Sequence, residues 1–212
     1  MHIITRKVTL IPAPFVGTRI KIALDDPESL TWGIFALTYA AGHAKAVIDW
    51  GDGSREEIDG TVQPIHNYAR TGTYEVSISD DISDLRCSTK SASSEFRLRY
   101  APMIHEVCIN ANTLSTVADC CFYNALNLKK IDCKGTGLRI LGQLAFNSCV
   151  SMSGRFDFPG VDSIASTTFA GCSGITELHF SKVNEAAIKA LPAWESSGHR
   201  FGAENATVSF DL

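Results

Sequence analysis

Ala145-Phe146-Asn147-Ser148-Cys149 is followed 23 residues later by Thr168-Phe169-Ala170-Gly171-Cys172, with a phenylalanine, a small or polar turn and a cysteine in the same order. Phe122, 24 residues before Phe146, opens a third copy. Apolar residues line up around the three phenylalanines. Eight residues before them stand Leu114, Leu138 and Val161, five before them Val117, Leu141 and Ile164, and six after them Leu128, Met152 and Ile175. Two further columns follow as apolar-x-apolar pairs, Ile131/Cys133, Phe156/Phe158 and Leu178/Phe180, the middle copy carrying one extra residue near Gly154. A partial earlier copy is Ile104/Val107/Ile109. Self-similarity at this period is the sequence signature of a solenoid, in which one coil cannot bury its own apolar face and stacks on its neighbours.

The pattern predicts about four coils in which Phe122, Phe146 and Phe169 form one ladder and the apolar-x-apolar pairs, with the period of a strand, line one sheet face. On the same reading Cys149 and Cys172 lie in adjacent coils as core thiols. The chain has seven cysteines, an odd number, with no CxxC pair and with Cys120 beside Cys121. They read mainly as small buried hydrophobes, while a metal-ligating or intercoil disulfide role for Cys149 and Cys172 stays open. His105 and His179, beside apolar strand positions, are expected to face outward without a cysteine or acidic partner at a ligand spacing. No cofactor is expected.

These blocks resemble the repeat of BspA-like leucine-rich-repeat proteins over residues 104 to 183. The first copy departs from that repeat, with Cys121 in place of its alanine and Ala125 in place of its cysteine, and so does Met152-Ser153-Gly154-Arg155 in the middle copy. After Val183, the run Asn184-Glu185-Ala186-Ala187-Ile188-Lys189-Ala190-Leu191-Pro192 predicts one short helix with Asn184 as N-cap and Pro192 as terminator. With a strand over Ala206 to Phe210, it would cap the open end.

The first ninety residues have a different texture. Alternating apolar positions mark strands at Val8/Leu10, Ile20/Ile22/Leu24 and Tyr74/Val76/Ile78, with further strands at Ile34 to Tyr39 and Ala46 to Asp49. About seven short strands with turn-rich connections, among them Ile11-Pro12-Ala13-Pro14, are the rhythm of a β-sandwich. Asp49-Trp50-Gly51-Asp52-Gly53-Ser54 is followed by His66-Asn67-Tyr68 and by Gly72-Thr73-Tyr74-Glu75-Val76. Asp52-Gly53 suits a hairpin turn. Trp50 supplies a large apolar surface, and Gly72 is a turn residue entering a central strand. The three blocks, in this order, resemble the PKD (polycystic kidney disease-like) domain signature. That resemblance implies an Ig-like sandwich, a partly buried His66 bonded to the neighbouring turn, and a corner role for Tyr74.

The expected fold is therefore mostly β, a PKD-like sandwich over residues 1–92 followed by a short leucine-rich-repeat solenoid with a C-terminal cap over 93–212. The serine-rich stretch Cys87 to Glu95 is the boundary.

Two groups of residues have the composition of a chemical site. Asp49, Asp52, Glu56, Glu57 and Asp59 crowd together, but the spacing lacks the alternating ligands, sixth-position glycine and twelfth-position glutamate of an EF-hand loop. Calcium binding by the Asp49–Asp59 segment stays open. Asp52, Ser54 and His66 contain the residue types of a hydrolytic triad, without the strand-turn-helix elbow around Ser54.

Of the 212 residues, 45% are hydrophobic and 20% charged, as in folded proteins. A net charge of -4 offers no basic footprint for nucleic acid. The apolar runs fall short of the roughly 18 residues of a membrane span. The first residues, Met1 to Lys7, are not followed by the apolar stretch of an export signal. The two resemblances imply a non-enzymatic binding or adhesion protein, extracellular or on a cell surface, that recognises protein or glycan through the repeat surface or the sandwich loops. The alternative is a structural component of a phage or prophage particle or of a cell-surface assembly.

Overall fold

The computed structural model describes residues 17–59, 63–91, 95–110 and 112–212. The strand expected at Val8/Leu10, the turn Ile11-Pro12-Ala13-Pro14 and residues 92–94 of the boundary stretch lie outside these residues.

Among the described residues eight strands fill the first part: β1 (Gly17–Leu24), β2 (Thr31–Gly33), β3 (Ala36–Tyr39), β4 (Lys45–Asp49), β5 (Arg55–Asp59), β6 (Ile65–Asn67), β7 (Gly72–Ser79) and β8 (Ile82–Arg86). Strict alternation drives β1, whose Ile20, Ile22 and Leu24 are fully buried while Arg19 and Lys21 face out. It pairs antiparallel with β7, Ile20 opposite Val76, and β7 pairs with β4, which turns into β5. β3 and β8 pair antiparallel in a second sheet, and β2 with β6 in a third.

Four of these strands carry too little apolar pattern to be read from sequence. The residues of β5, part of the acidic Asp49–Asp59 segment, are the return arm of the β4 hairpin, with Ile58 buried and its charged neighbours outside.

The second part contains β9 (Ile104–Ile109), β10 (Thr116–Val117), β11 (Lys130–Cys133), β12 (Ile140–Leu141), β13 (Ser153–Phe158), β14 (Ser163–Ile164), β15 (Gly174–Phe180), helices α1 (Glu185–Lys189) and α2 (Pro192–Ser196), and β16 (Thr207–Phe210). These strands form two parallel rows. The long strands give β9 beside β11, and β13 beside β15 and β16. The two-residue strands run β10, β12, β14. The register repeats the sequence period, with Val107 opposite Ile131, Thr116 opposite Ile140 and Ile140 opposite Ser163. The register between β13 and β15 shifts after Gly154, where Thr176 of β15 has no opposite residue, so the extra residue expected in the middle copy is not the unpaired one; Gly154 itself has a φ of 84°, which favours glycine.

Both rows grow from the sheets of the first part. β9 pairs antiparallel with β1, Ile20 opposite Val107, so β5-β4-β7-β1-β9-β11 is one six-stranded sheet. β10 pairs parallel with β8, so β3-β8-β10-β12-β14 is another. The expected boundary at 92/93 thus falls between segments that share two sheets and one continuous core. Two side chains fasten the junction. The buried Trp32 indole donates to the Tyr100 carbonyl at 3.1 Å. Asp80, in the turn between β7 and β8, accepts the Asn112 and Thr113 amides at 2.9 Å each and the Thr113 hydroxyl at 2.7 Å.

The C-terminal end departs from expectation in two respects. Asn184 sits in the helical region with no side-chain cap bond, and Pro192 opens a second helix, α2, rather than only ending the first. The extended Leu191 before it is the conformation a following proline imposes, and proline's missing N–H is harmless at a first helical position. Among the described residues no helix is long and apolar enough to cross a membrane.

Candidate functional site

The interior of the solenoid is built for stacking. Phe122, Phe146 and Phe169 are fully buried, with successive ring centroids 5.3 Å apart and interplanar angles of 11° and 7°. Each ring sits on a turn whose residue two places on has positive φ, namely Asn124, Ser148 and Gly171. The repeat cysteine has a polar task within this core. Cys149 donates its thiol to the Phe122 carbonyl at 3.2 Å, and Cys172 donates to the Phe146 carbonyl at 3.0 Å. Each thiol therefore satisfies a carbonyl of the preceding coil without leaving the apolar interior. Burial pushes the Cys87 and Cys149 thiols up and Cys133 to about 12, opposite to what nucleophilic thiols need, whereas the contact with Cys149 lowers its partner Cys172.

Residues 99–191 match the family model described as BspA type Leucine rich repeat region (6 copies). Over this stretch the chain is similar to BspA-type leucine-rich repeats. The match begins at Arg99, in the helical turn leading into β9. No curated protein and no solved structure matches the chain.

Beyond the repeat region, the residues singled out around Trp50 form one cluster at the end of the six-stranded sheet. The β4–β5 turn holds Asp52 and Gly53, the latter with φ 96°. Asp52 accepts the Ser54 amide at 3.0 Å and hydroxyl at 2.5 Å, and its other oxygen meets His66 Nε2 at 2.8 Å. The His66 ring stacks on Trp50 at 5.0 Å and meets the Tyr68 edge at 4.6 Å. Tyr68 donates to the Trp50 carbonyl at 3.1 Å. Tyr74 packs on Tyr68 and donates back to the Arg70 carbonyl at 2.8 Å, and Gly72 has an extended φ of 157° at the start of β7.

Asp52, Ser54 and His66 therefore do come together, but not as a proton relay. Ser54 Oγ lies 3.3 Å from the same Nε2 that Asp52 occupies. A relay needs the acid on one ring nitrogen and the nucleophile on the other. Burial works to raise the Asp52 carboxyl, yet the bonds from Ser54 and His66 outweigh it and hold the group at about 2. Its stabilising contribution is thus complete above about pH 4 and lost as the pH falls toward 2. Asp52→Ala should cost about 1–3 kcal/mol of stability at neutral pH, and acid titration of the variant should show a shallower loss between about pH 4 and 2 than the wild type.

The other carboxylates of the acidic segment point apart. Asp49 bonds the Gly51 amide and the Arg55 guanidinium, while Glu57 pairs with Lys45. Among the described residues no group of three or more His, Cys, Asp or Glu side chains could hold a metal ion.

Chemistry accessible from outside lies on the outer face of the long strands. Registers across four strands place Glu75, Lys21, Glu106 and Lys130 in one alternating row spanning β7, β1, β9 and β11. Lys21 bonds Glu106 at 2.9 Å, and that bond holds the Glu106 carboxyl below its ordinary range. Arg19, Cys108 and Asp132 form the next row, the guanidinium donating to the thiol at 3.4 Å. Together with Lys134 these side chains line a groove of about 240 Å3 over the junction.

Further along the same face is His179. Contrary to the outward, unpartnered histidine that the sequence predicts, it is only 6% exposed and bonded through both ring nitrogens to acidic groups. One partner, Glu177, was legible as the same-face neighbour two residues away on a strand; the other, Asp211, lies 32 residues on and needed the fold.

Proposed function

We propose that this protein is a non-enzymatic binding or adhesion protein of the cell surface or extracellular space, recognising a protein or glycan through the outer face of its long strands. The observation that carries the proposal is the groove over the junction, where two sequence modules place charged side chains of both signs on one rigid sheet. Such a surface suits reversible, orientation-specific recognition of a polar partner. Absence of catalysis belongs to the same reading, since the Asp52, Ser54 and His66 arrangement lacks the order of a relay.

Residues 1–92 are, on this proposal, a PKD-like sandwich module. Support comes from the aromatic cluster around Trp50 and from the Tyr74-to-Arg70 bond, which has the pattern of the tyrosine corner of Ig-like sandwiches. The boundary at 92/93 is a boundary between sequence modules, not between folding units.

Glycan and protein arrays probed with the whole chain test the function. A ligand should be captured, and Lys21→Ala/Lys130→Ala should weaken it about tenfold, or about 1.4 kcal/mol. Arrays without any ligand for the intact protein would overturn the proposal and favour the structural-component alternative.

A further inference from the structure

We infer that His179 is a protonation-controlled latch that fastens the last strand and the end of the described chain to the repeat region. The geometry rests on counting protons. His179 lies on the outer face of β15, with Nε2 2.8 Å from Glu177 Oε2 and Nδ1 2.6 Å from Asp211 Oδ1. A carboxylate can only accept, so satisfying both contacts requires an N–H on each nitrogen, which is the imidazolium. Ser209 completes the arrangement. Its hydroxyl is 2.8 Å from the same Nδ1 and 3.1 Å from Asp211 Oδ1.

Loss of one proton to solvent changes the partners in a defined way. A neutral ring keeps one N–H, so one carboxylate must face a bare nitrogen lone pair. Among the described residues the hydroxyl donor placed beside the ring is that of Ser209, on the Nδ1 side. The neutral state therefore keeps Nε2–H on Glu177, turns the Ser209 hydroxyl from Asp211 to Nδ1, and leaves Asp211 without either bond. Asp211 adjoins Leu212, whose amide donates to the Phe180 carbonyl at 3.3 Å and whose carbonyl accepts from Lys182 at 3.3 Å and from the Ser181 hydroxyl at 3.2 Å. Releasing Asp211 loosens this end and the edge pairing of β16 on β15.

The charged groups around the ring come from every neighbouring strand. β13 contributes Arg155 and Asp157, the latter directly opposite His179. β15 contributes Glu177, and Asp211 follows β16. Burial and Arg155 work against the charged ring, but the carboxylates outweigh them and raise its pKa above the ordinary 6.5, while Asp211 is held below its ordinary range chiefly by the His179 bond. The sign follows. The latch is fully closed below the unfolded histidine's pKa and opens as the pH rises through the folded value, and it also fails in acid as Asp211 protonates.

The test is nitrogen-resolved NMR of the His179 ring together with amide hydrogen exchange, both on the intact protein. At about pH 6 the ring should show both nitrogens protonated. Exchange at Leu212 and in β16, corrected for its intrinsic pH dependence, should speed up about tenfold by about pH 9. His179→Gln should remove that pH dependence. Ser209→Ala, which deprives the neutral ring of its donor, should move the His179 titration upward. A ring already neutral at about pH 6, or end-strand exchange that ignores its titration, would overturn the latch without bearing on ligand capture at the groove.

Discussion

Phe146→Ala is expected to lower the unfolding free energy by about 3–5 kcal/mol, a large fraction of the roughly 5–15 kcal/mol that holds a typical domain together. Phe146 is the middle rung of the ladder. It is 0% exposed and stacked on both sides, against Phe122 and Phe169 at 5.3 Å each. The substitution removes the buried ring, both stacking partners and the fill of a close-packed coil at once. Its backbone is equally committed, with its amide bonded to the Thr168 carbonyl and its carbonyl accepting the Cys172 thiol, so neighbouring coils have little room to collapse into the void. Chemical denaturation followed by circular dichroism measures the loss. Val183→Ala, at an 85% exposed position, should stay within about 0.5 kcal/mol and serves as the control. A Phe146→Ala loss as small as the control's would mean that the ladder does not hold the coils together.

Cutting the chain at 92/93 should leave residues 93–212 without a cooperative unfolding transition. The cut strips β1 from β9 and β8 from β10, exposing Ile104, Val107, Ile109, Leu114 and Val117, all at most 2% exposed in the intact protein. Burying an aliphatic side chain contributes about 1.5–3 kcal/mol, so five of them amount to roughly 7–15 kcal/mol. That equals the whole stability of a typical domain, about 5–15 kcal/mol. The bonds of Asp80 to Asn112 and Thr113, and of Trp32 to Tyr100, disappear with the same cut. In the intact chain, thermal unfolding seen by tryptophan fluorescence, with Trp32 and Trp50 in the first part and Trp194 near the C-terminal end, should coincide with that seen by circular dichroism. Two separated transitions would show independently folding domains and overturn the single-unit reading.

Periodic features of the protein were legible in its sequence. The Phe122, Phe146 and Phe169 columns and the apolar-x-apolar pairs map onto stacked rings and parallel strands. A stacked coil repeats the same burial problem, so the sequence must repeat the same solution. The turn chemistry of Asp52-Gly53 was legible for a similar local reason: only a few residue types take such backbone angles without strain.

What the sequence left open is what joins residues far apart in the chain. β5 and β8 are recognisable as strands only beside β4 and β10, because a mostly polar strand is stabilised by its ladder partners and not by its own pattern. Likewise, the six-stranded sheet spanning both modules, the row from Glu75 to Lys130, and the His179 contacts with Glu177 and Asp211 exist only after folding. Local periodicity thus determined the repeats, while the meeting of edges determined the rest. An unpaired strand edge with buried apolar neighbours has to find a partner, and in this protein the first coil meets that need with the sheets of the preceding ninety residues.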